Sequence, residues 1–131
     1  MTLHNEAQFL DTAGRLLIVV FFLVAGLGNM TRERIRDHIE RIAASGLPLA
    51  APAFWFGITL QFLGCALLLA GWHADIGALC LIVFTLAATA IFHRFWRVAD
   101  PLRRNLGRLF FLNNVAITGG LLLLLANMQR V

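Results

Sequence analysis

The chain has 131 residues, of which 60% are hydrophobic and only 14% are charged, and its mean hydropathy is +0.79. All eleven cations are arginines, against seven acidic residues, so the formal net charge is +4. This composition excludes a water-soluble catalytic domain. It also excludes a nucleic-acid-binding domain, because such a domain presents its basic face on a soluble fold.

Four continuous, uncharged apolar stretches are each long enough to cross a membrane. A hydrocarbon core of about 30 Å is crossed by about 20 helical residues, and only helices and closed barrels satisfy every backbone polar group in lipid. Because the stretches are continuous rather than alternating, they predict helices. We therefore expect an all-α membrane protein, one domain over residues 1–131, folded as an antiparallel four-transmembrane-helix bundle. Its spans are predicted at about residues 12–30, 53–71, 76–93 and 106–127.

The first span follows an acidic segment that contains Glu6 and Asp11. The leading region of a signal peptide is basic, so we expect this span to remain uncleaved. Arg15 stands alone near the outer end of the span, one helical turn after Asp11. Two interpretations of Arg15 stay open. It extends to the interface and pairs with Asp11, or it faces the bundle and holds an anionic or carbonyl group.

A short amphipathic helix is predicted over about residues 32–45, between spans one and two. Thr31 is a suitable N-cap, and Gly46-Leu47-Pro48 is typical of a helix end. Isoleucines at helical spacing oppose a charged face, which favours a position on the membrane interface. Further along, Asp100 followed by Pro101 predicts another helix start, with aspartate as the cap and proline at the first position.

The arginines predict the orientation of the chain. Four lie between spans one and two and five between spans three and four, whereas only Arg15 and Arg130 lie on the other side. By the positive-inside rule, loops 31–52 and 94–107 are cytoplasmic and both termini lie outside. The arginines expected to contact lipid headgroups are Arg32, Arg36, Arg94, Arg97, Arg103 and Arg104.

Polar side chains inside the hydrocarbon are costly and are therefore the best indicators of a functional site. Thr85, Thr89 and His93 form a stripe on one face of span three, and every span carries an amide or a histidine in its cytoplasmic half. The candidate ligand-binding residues are Arg15, Asn29, Gln61, Thr89, His93, Trp96, Asn113 and Asn114. Either they hold a ligand headgroup such as a quinone carbonyl, or they only bond to one another across helices. One histidine without a carboxylate beside it predicts no metal site.

Five short motifs follow one another along the spans and their connections. They are Arg15-Leu16-Leu17, Phe22-Leu23-Val24-Ala25-Gly26-Leu27-Gly28, Gly46-Leu47-Pro48, Phe92-His93-Arg94-Phe95-Trp96, and Phe111-Leu112-Asn113-Asn114 leading to Gly119-Gly120. In this order and spacing they resemble the DoxX family of small bacterial membrane proteins. The resemblance extends from about residue 15 to residue 126.

The chain departs from the pattern of this family at four positions. Where the family often has Lys, Glu, Asp and Lys, this chain has Asn29, Gln61, Arg94 and Asn113. At three of these positions a charged side chain is thus replaced by a neutral amide. The resemblance therefore implies an uncharged hydrogen-bonding layer without the glutamate that could handle a proton.

Some proteins of the family are subunits of a thiosulfate:quinone oxidoreductase, and others belong to membrane redox complexes that respond to oxidative stress. The resemblance implies a bacterial inner-membrane protein with a non-covalently bound quinone, no covalent cofactor, and redox-enzyme subunits and lipids as partners. Since nothing in the chain carries electrons, we expect an accessory subunit of a quinone-dependent oxidoreductase rather than an enzyme by itself. Two alternatives stay open: a purely structural or assembly subunit, and a binder of a lipid-like small molecule. The oligomeric state is also left open.

Overall fold

The computed structural model describes the backbone of residues 2–92 and 95–129 and the side chains of residues 5–92 and 96–128. Within these ranges the protein is all-helical, as predicted. The five helices are α1 (Thr2–Gly28), α2 (Arg32–Ala44), α3 (Ala50–Ala70), α4 (Ala74–Phe92) and α5 (Pro101–Gln129), and a single 3-10 turn, Phe95–Arg97, lies between α4 and α5. Four of the five, all except α2, are long and apolar enough to cross a membrane.

Helices α1 and α5 are longer than the spans predicted from hydropathy. Helix α1 already begins at Thr2, so its polar first turns precede the apolar part of the helix. Helix α5 begins at Pro101, and the Asp100 carboxylate accepts a hydrogen bond of 3.0 Å from the backbone N–H of Arg103. The helix start predicted at Asp100-Pro101 is therefore confirmed, and the arginine-bearing first turns of α5 precede its apolar part.

Helix α2 is held at both ends and packed on one face. The Thr31 hydroxyl accepts from the Arg34 N–H at 3.2 Å, which caps its start. Its isoleucine face lies on the protein, with Ile42 only 3% exposed in a cluster with Phe54 and Ile58 of α3. Part of the apolar face that the sequence assigned to the membrane interface is therefore covered by the bundle itself.

Helices α3 and α4 approach each other closely at Gly64 and Gly77. A Cβ built on Gly64 would lie 2.7 Å from Cγ of Leu81 and 2.9 Å from the carbonyl oxygen of Gly77. A Cβ on Gly77 would lie 2.9 Å from the carbonyl oxygen of Gly64. These distances leave no room for a side chain, so the two backbones touch directly, as small residues allow in membrane proteins.

The core consists of two clusters that differ in which helices they join. The larger one combines buried residues of α1, α3, α4 and α5, among them Val19, Cys65, Leu81 and Leu121. The smaller one surrounds Ile42 and draws on α2, α3, the end of α4, and Met30 in the connection between α1 and α2. Within the described residues α5 contributes no member to it. Outside both clusters, large apolar side chains cover the surfaces of the long helices, which suits contact with lipid chains.

We expect the change Gly64→Ala to destabilise the protein by about 1–3 kcal/mol, because the new methyl group overlaps Leu81 and the backbone of α4. Gly119→Ala is the matched control, since a Cβ there meets no atom within 4 Å. Alanine in a helix is favoured over glycine by about 1 kcal/mol, so the control should be neutral or slightly stabilised. Unfolding of both variants in detergent measures the difference, and equal effects would contradict the close contact.

Candidate functional site

Gln61 is the most deeply buried polar side chain of α3, with an exposed fraction of 1%. Its amide nitrogen Nε2 donates a hydrogen bond of 2.8 Å to the backbone carbonyl oxygen of Phe22 in α1. Gly26 makes this contact possible, since a Cβ at that position would lie 3.0 Å from Nε2 of Gln61 and 2.9 Å from Cζ of Phe62. A glycine in α1 thus lets an amide of α3 lie directly against the α1 backbone.

Two buried oxygen atoms in the same bundle lack a hydrogen-bond partner among the described residues. They are Oε1 of Gln61 and Oγ1 of Thr85, whose residue is 3% exposed on α4. The orientation of the amide follows from its contact, because a carbonyl oxygen such as that of Phe22 accepts only from the NH₂ side. A desolvated polar atom without a partner costs about 1–3 kcal/mol. Such atoms are candidates for contact with a ligand or water.

Thr89 and Asn114 join α4 to α5 through their side chains. The Asn114 amide nitrogen donates to the Thr89 hydroxyl oxygen at 3.0 Å, and that hydroxyl donates to the Thr85 carbonyl oxygen at 2.7 Å. The hydroxyl of Thr118, one turn further along α5, donates to the Asn114 carbonyl oxygen at 2.8 Å. These polar groups bond within the bundle, as expected for helix contacts in a membrane.

The other predicted site residues lie apart from these contacts. Asn113 is exposed on α5, beside the half-buried Asn114, and Asn29 is half-buried just beyond the end of α1. The Trp96 side chain is 57% exposed and packs edge-on against the Phe111 ring, with centroids 5.9 Å apart. His93 and its neighbour Arg94 lie outside the described residues.

Arg15 belongs to a separate network that joins the first half of α1 to the end of α5. Its Nε donates to the Asp11 carboxylate at 2.8 Å, and the other oxygen of that carboxylate accepts from the Asn127 amide at 2.7 Å. Of the two interpretations of Arg15, the structure therefore shows the pairing with Asp11. Arg15 precedes Phe22 by seven residues, or roughly 10 Å along the axis of α1, so it is remote from Gln61.

A polar layer is formed by Gln61, Thr85, Thr89, Asn114 and the Phe22 carbonyl. The sequence alone did not single out two parts of this polar layer. The first is the carbonyl of Phe22, because every residue has a backbone carbonyl and only Gly26 in the next turn marks the approach of α3. The second is Thr85, which the threonine stripe on α4 indicated but which the candidate set omitted. Two surface grooves lie elsewhere, one beside Pro101–Arg108 and one beside Asn5–Leu10. Within the described residues no group of three histidine, cysteine or acidic side chains could hold a metal ion.

A comparison with known families matches residues 10–94, which is more than half of the chain, to a family model described as DoxX. The match covers most of α1, all of α2, α3 and α4, and ends before α5. Gln61, Thr85 and Thr89 lie inside it and Asn114 lies outside. No curated protein and no solved structure matches the chain.

A double-mutant cycle of Thr89→Val and Asn114→Leu tests the contact between α4 and α5. We expect a coupling free energy of about 0.6–1.7 kcal/mol, the range of interhelical hydrogen bonds in membrane proteins. The same cycle with Asn113→Leu is the control, because that amide is exposed on the same helix. Unfolding in mixed detergent micelles gives the free energies, and equal coupling for the two asparagines would contradict the assigned bond.

Proposed function

The chain belongs to the DoxX family and is a multi-pass membrane protein, and we propose that it is an accessory subunit of a quinone-linked redox system in a bacterial inner membrane. In this proposal the bundle receives the headgroup of a quinone and holds it for a partner dehydrogenase. The chain supplies binding and orientation, and the partner supplies the electrons.

The pair of unpartnered oxygen atoms carries the proposal. Oε1 of Gln61 can only accept a hydrogen bond, whereas Oγ1 of Thr85 can accept or donate one. A quinol hydroxyl can donate to the first atom, and a quinone carbonyl can accept from the second. The quinol form therefore offers the hydrogen bonds that both atoms lack within the described part of the chain, because its hydroxyl oxygens can also accept from Thr85, whereas the quinone form can bond only to Thr85.

Access to this layer requires a helix to move, because both atoms are fully covered. Helices α3 and α4 are fixed to each other by the glycine contact at Gly64 and Gly77. Helices α1 and α5 are the least buried of the four long helices. We therefore expect the headgroup to enter from the lipid by displacement of one of these outer helices.

The neutral character of the layer limits what the chain contributes chemically. Reduction of a quinone to a quinol takes up two electrons and two protons, and an amide such as Gln61 neither releases nor takes up a proton at neutral pH. The layer can position the headgroup and keep water from it. In this proposal the electrons come from the partner, and the protons come from the partner or from groups at the membrane surface.

A structural or assembly subunit is the second candidate, and a specific observation favours it. The amide of Asn114 and the hydroxyls of Thr89 and Thr118 are all bonded within the bundle. If the two orphaned oxygens are satisfied by ordered water, the whole polar layer serves helix packing. A lipid-like ligand that bears a hydroxyl group is a third occupant with the same chemistry, and identification of the bound molecule separates it from a quinone.

The proposed arrangement in the membrane is an antiparallel bundle with α2 at its cytoplasmic surface. Support comes from the pairing of α3 with α4, in which Gly57 lies near Phe84 while Gly64 lies near Gly77. Later residues of α3 thus lie beside earlier residues of α4, as expected for antiparallel helices. The arginine distribution places the α2 region and the connection before α5 in the cytoplasm and both termini outside, with arginines of both regions near lipid headgroups.

Mass spectrometry of the gently solubilised protein should find a quinone or quinol bound to the wild-type chain. We expect Gln61→Leu to reduce its occupancy about tenfold, since the loss of one buried hydrogen bond costs about 1–3 kcal/mol. Asn113→Leu is the control for removal of an amide and should keep the ligand. Repeated wild-type preparations that carry partner chains but no quinone would refute the proposal in favour of a structural subunit.

Single cysteines test the orientation. We expect Trp72→Cys, in the turn between α3 and α4, to react with a membrane-impermeant maleimide in intact cells. Leu47→Cys, in the turn after α2, should react only after the cells are opened. The native Cys65 and Cys80 are both buried, so they give little background. The reverse labelling pattern would show the opposite orientation.

A further inference from the structure

The start of α5 carries a groove lined by basic side chains. Pro101, Arg104, Asn105 and Arg108 follow one another at helical spacing along one face of α5 and border an open volume of about 250 Å³. All four residues are exposed at the point where α5 changes from its arginine-bearing turns to its apolar part. The groove lies at the level where lipid headgroups meet a membrane helix.

Two guanidinium groups of the groove are held in place by neighbouring oxygen atoms. Arg104 donates through Nε to the Val98 carbonyl at 3.0 Å and through Nη2 to the Ala99 carbonyl at 2.9 Å. Arg108 donates through Nη2 to the Asn105 side-chain oxygen at 2.9 Å. A guanidinium has five N–H donors in a fixed geometry, so both arginines keep donors for an anion after making these contacts.

The charge around the groove is not neutralised by the chain. Between residues 96 and 110 the arginines are Arg97, Arg103, Arg104 and Arg108, and the one acidic residue is Asp100. The Asp100 carboxylate already caps α5. Helix α2 differs, because its four arginines are interleaved with three acidic residues. Of these two arginine-rich regions, the start of α5 therefore carries the larger excess of positive charge.

Apolar side chains continue directly from the groove toward the membrane. Leu112 and Val115, four and seven residues after Arg108 on the same face of α5, are 52% and 54% exposed. An occupant therefore meets arginines at one end and apolar side chains at the other. This combination matches a molecule that has an anionic head and hydrocarbon chains.

We propose that this groove binds the phosphate of an anionic phospholipid, with Arg104 and Arg108 as its principal ligands. Arginine recognises phosphate through parallel charge-assisted hydrogen bonds. The acyl chains then lie along the apolar surface of α5. The site is independent of the quinone proposal, since it rests on the arginines of α5 and not on the layer around Gln61.

Titration of the detergent-solubilised full chain with phosphatidylglycerol, followed by native mass spectrometry, tests the site. We expect the double variant Arg104→Gln/Arg108→Gln to bind this lipid about tenfold more weakly. The matched control is Arg34→Gln/Arg41→Gln, which removes the same charge from α2 at positions outside the lipid-contacting set, where Arg34 bonds to the Gly28 carbonyl and Arg41 pairs with Asp37, and its affinity should change by less than about twofold. Equal weakening in both double variants would overturn the proposal, because it would indicate attraction by net charge alone.

Two further titrations identify the occupant. Phosphatidylcholine has a phosphate but no net charge, and we expect it to bind more weakly than phosphatidylglycerol; equal binding would overturn the choice of an anionic lipid. Inorganic phosphate should not displace the lipid, because it lacks acyl chains, and displacement would assign the groove to free phosphate instead. If the substitution of Arg104 prevents folding, the single variant Arg108→Gln replaces the double variant in the titration. The Arg108 guanidinium bonds to Asn105 of the same helix, so its removal should not disturb folding.

Discussion

The direct backbone contact of α3 and α4 at Gly64 and Gly77 determines where the remaining helices lie. Because no side chain separates the two helices at this point, they form a rigid central pair. Helix α1 packs against the side of the pair formed by α3, and α5 packs against the side formed by α4. Gln61 and Thr85 are carried by this central pair, and Gln61 is covered by α1 at Phe22 and Gly26. A larger residue at either glycine would therefore disturb the polar layer as well as the packing.

The polar layer shows how an uncharged membrane interior restricts chemistry. A carboxylate as buried as Gln61 would have to lose its hydration, which is far more costly than burial of an amide. The amide can instead bond to the Phe22 carbonyl, which is already part of the α1 helix. This contact fixes α1 to α3 and directs Oε1 away from it. Hydrogen bonding is thus available in this layer, whereas proton exchange through residue 61 is not.

Much of the architecture could be predicted from the sequence because it depends on local properties. The long apolar stretches, the Thr31 cap and the Asp100-Pro101 helix start are each set within a few neighbouring residues. The site was less predictable because it depends on how helices rotate against one another. Asn113 and Asn114 are adjacent in sequence, yet only Asn114 lies on the side of α5 that reaches Thr89.

Contacts between residues that lie far apart in the chain could not be predicted from the sequence either. The Asp11 partner of Arg15 lies one turn away and was among the alternatives, whereas Asn127, which bonds to the same carboxylate, lies 116 residues from Asp11. Helix α2 was expected from its amphipathic pattern. The pattern could not tell whether its isoleucines meet lipid or protein, and the structure places Ile42 against α3.

The two ends of α5 are held in different ways. The basic groove and Asn114 of the polar layer lie on this same helix. The C-terminal half of α5 belongs to the larger core cluster through Leu121 and Leu124. Its first turns are held by Arg104, which bonds to the connection just before the helix. Asn114 follows Arg108 by six residues, or roughly 9 Å along the axis. A ligand stabilises the conformation to which it binds, so a phospholipid that bound only when α5 lies against α4 would favour the state in which Asn114 bonds to Thr89. Lipid composition would then influence how readily α5 moves to admit a headgroup.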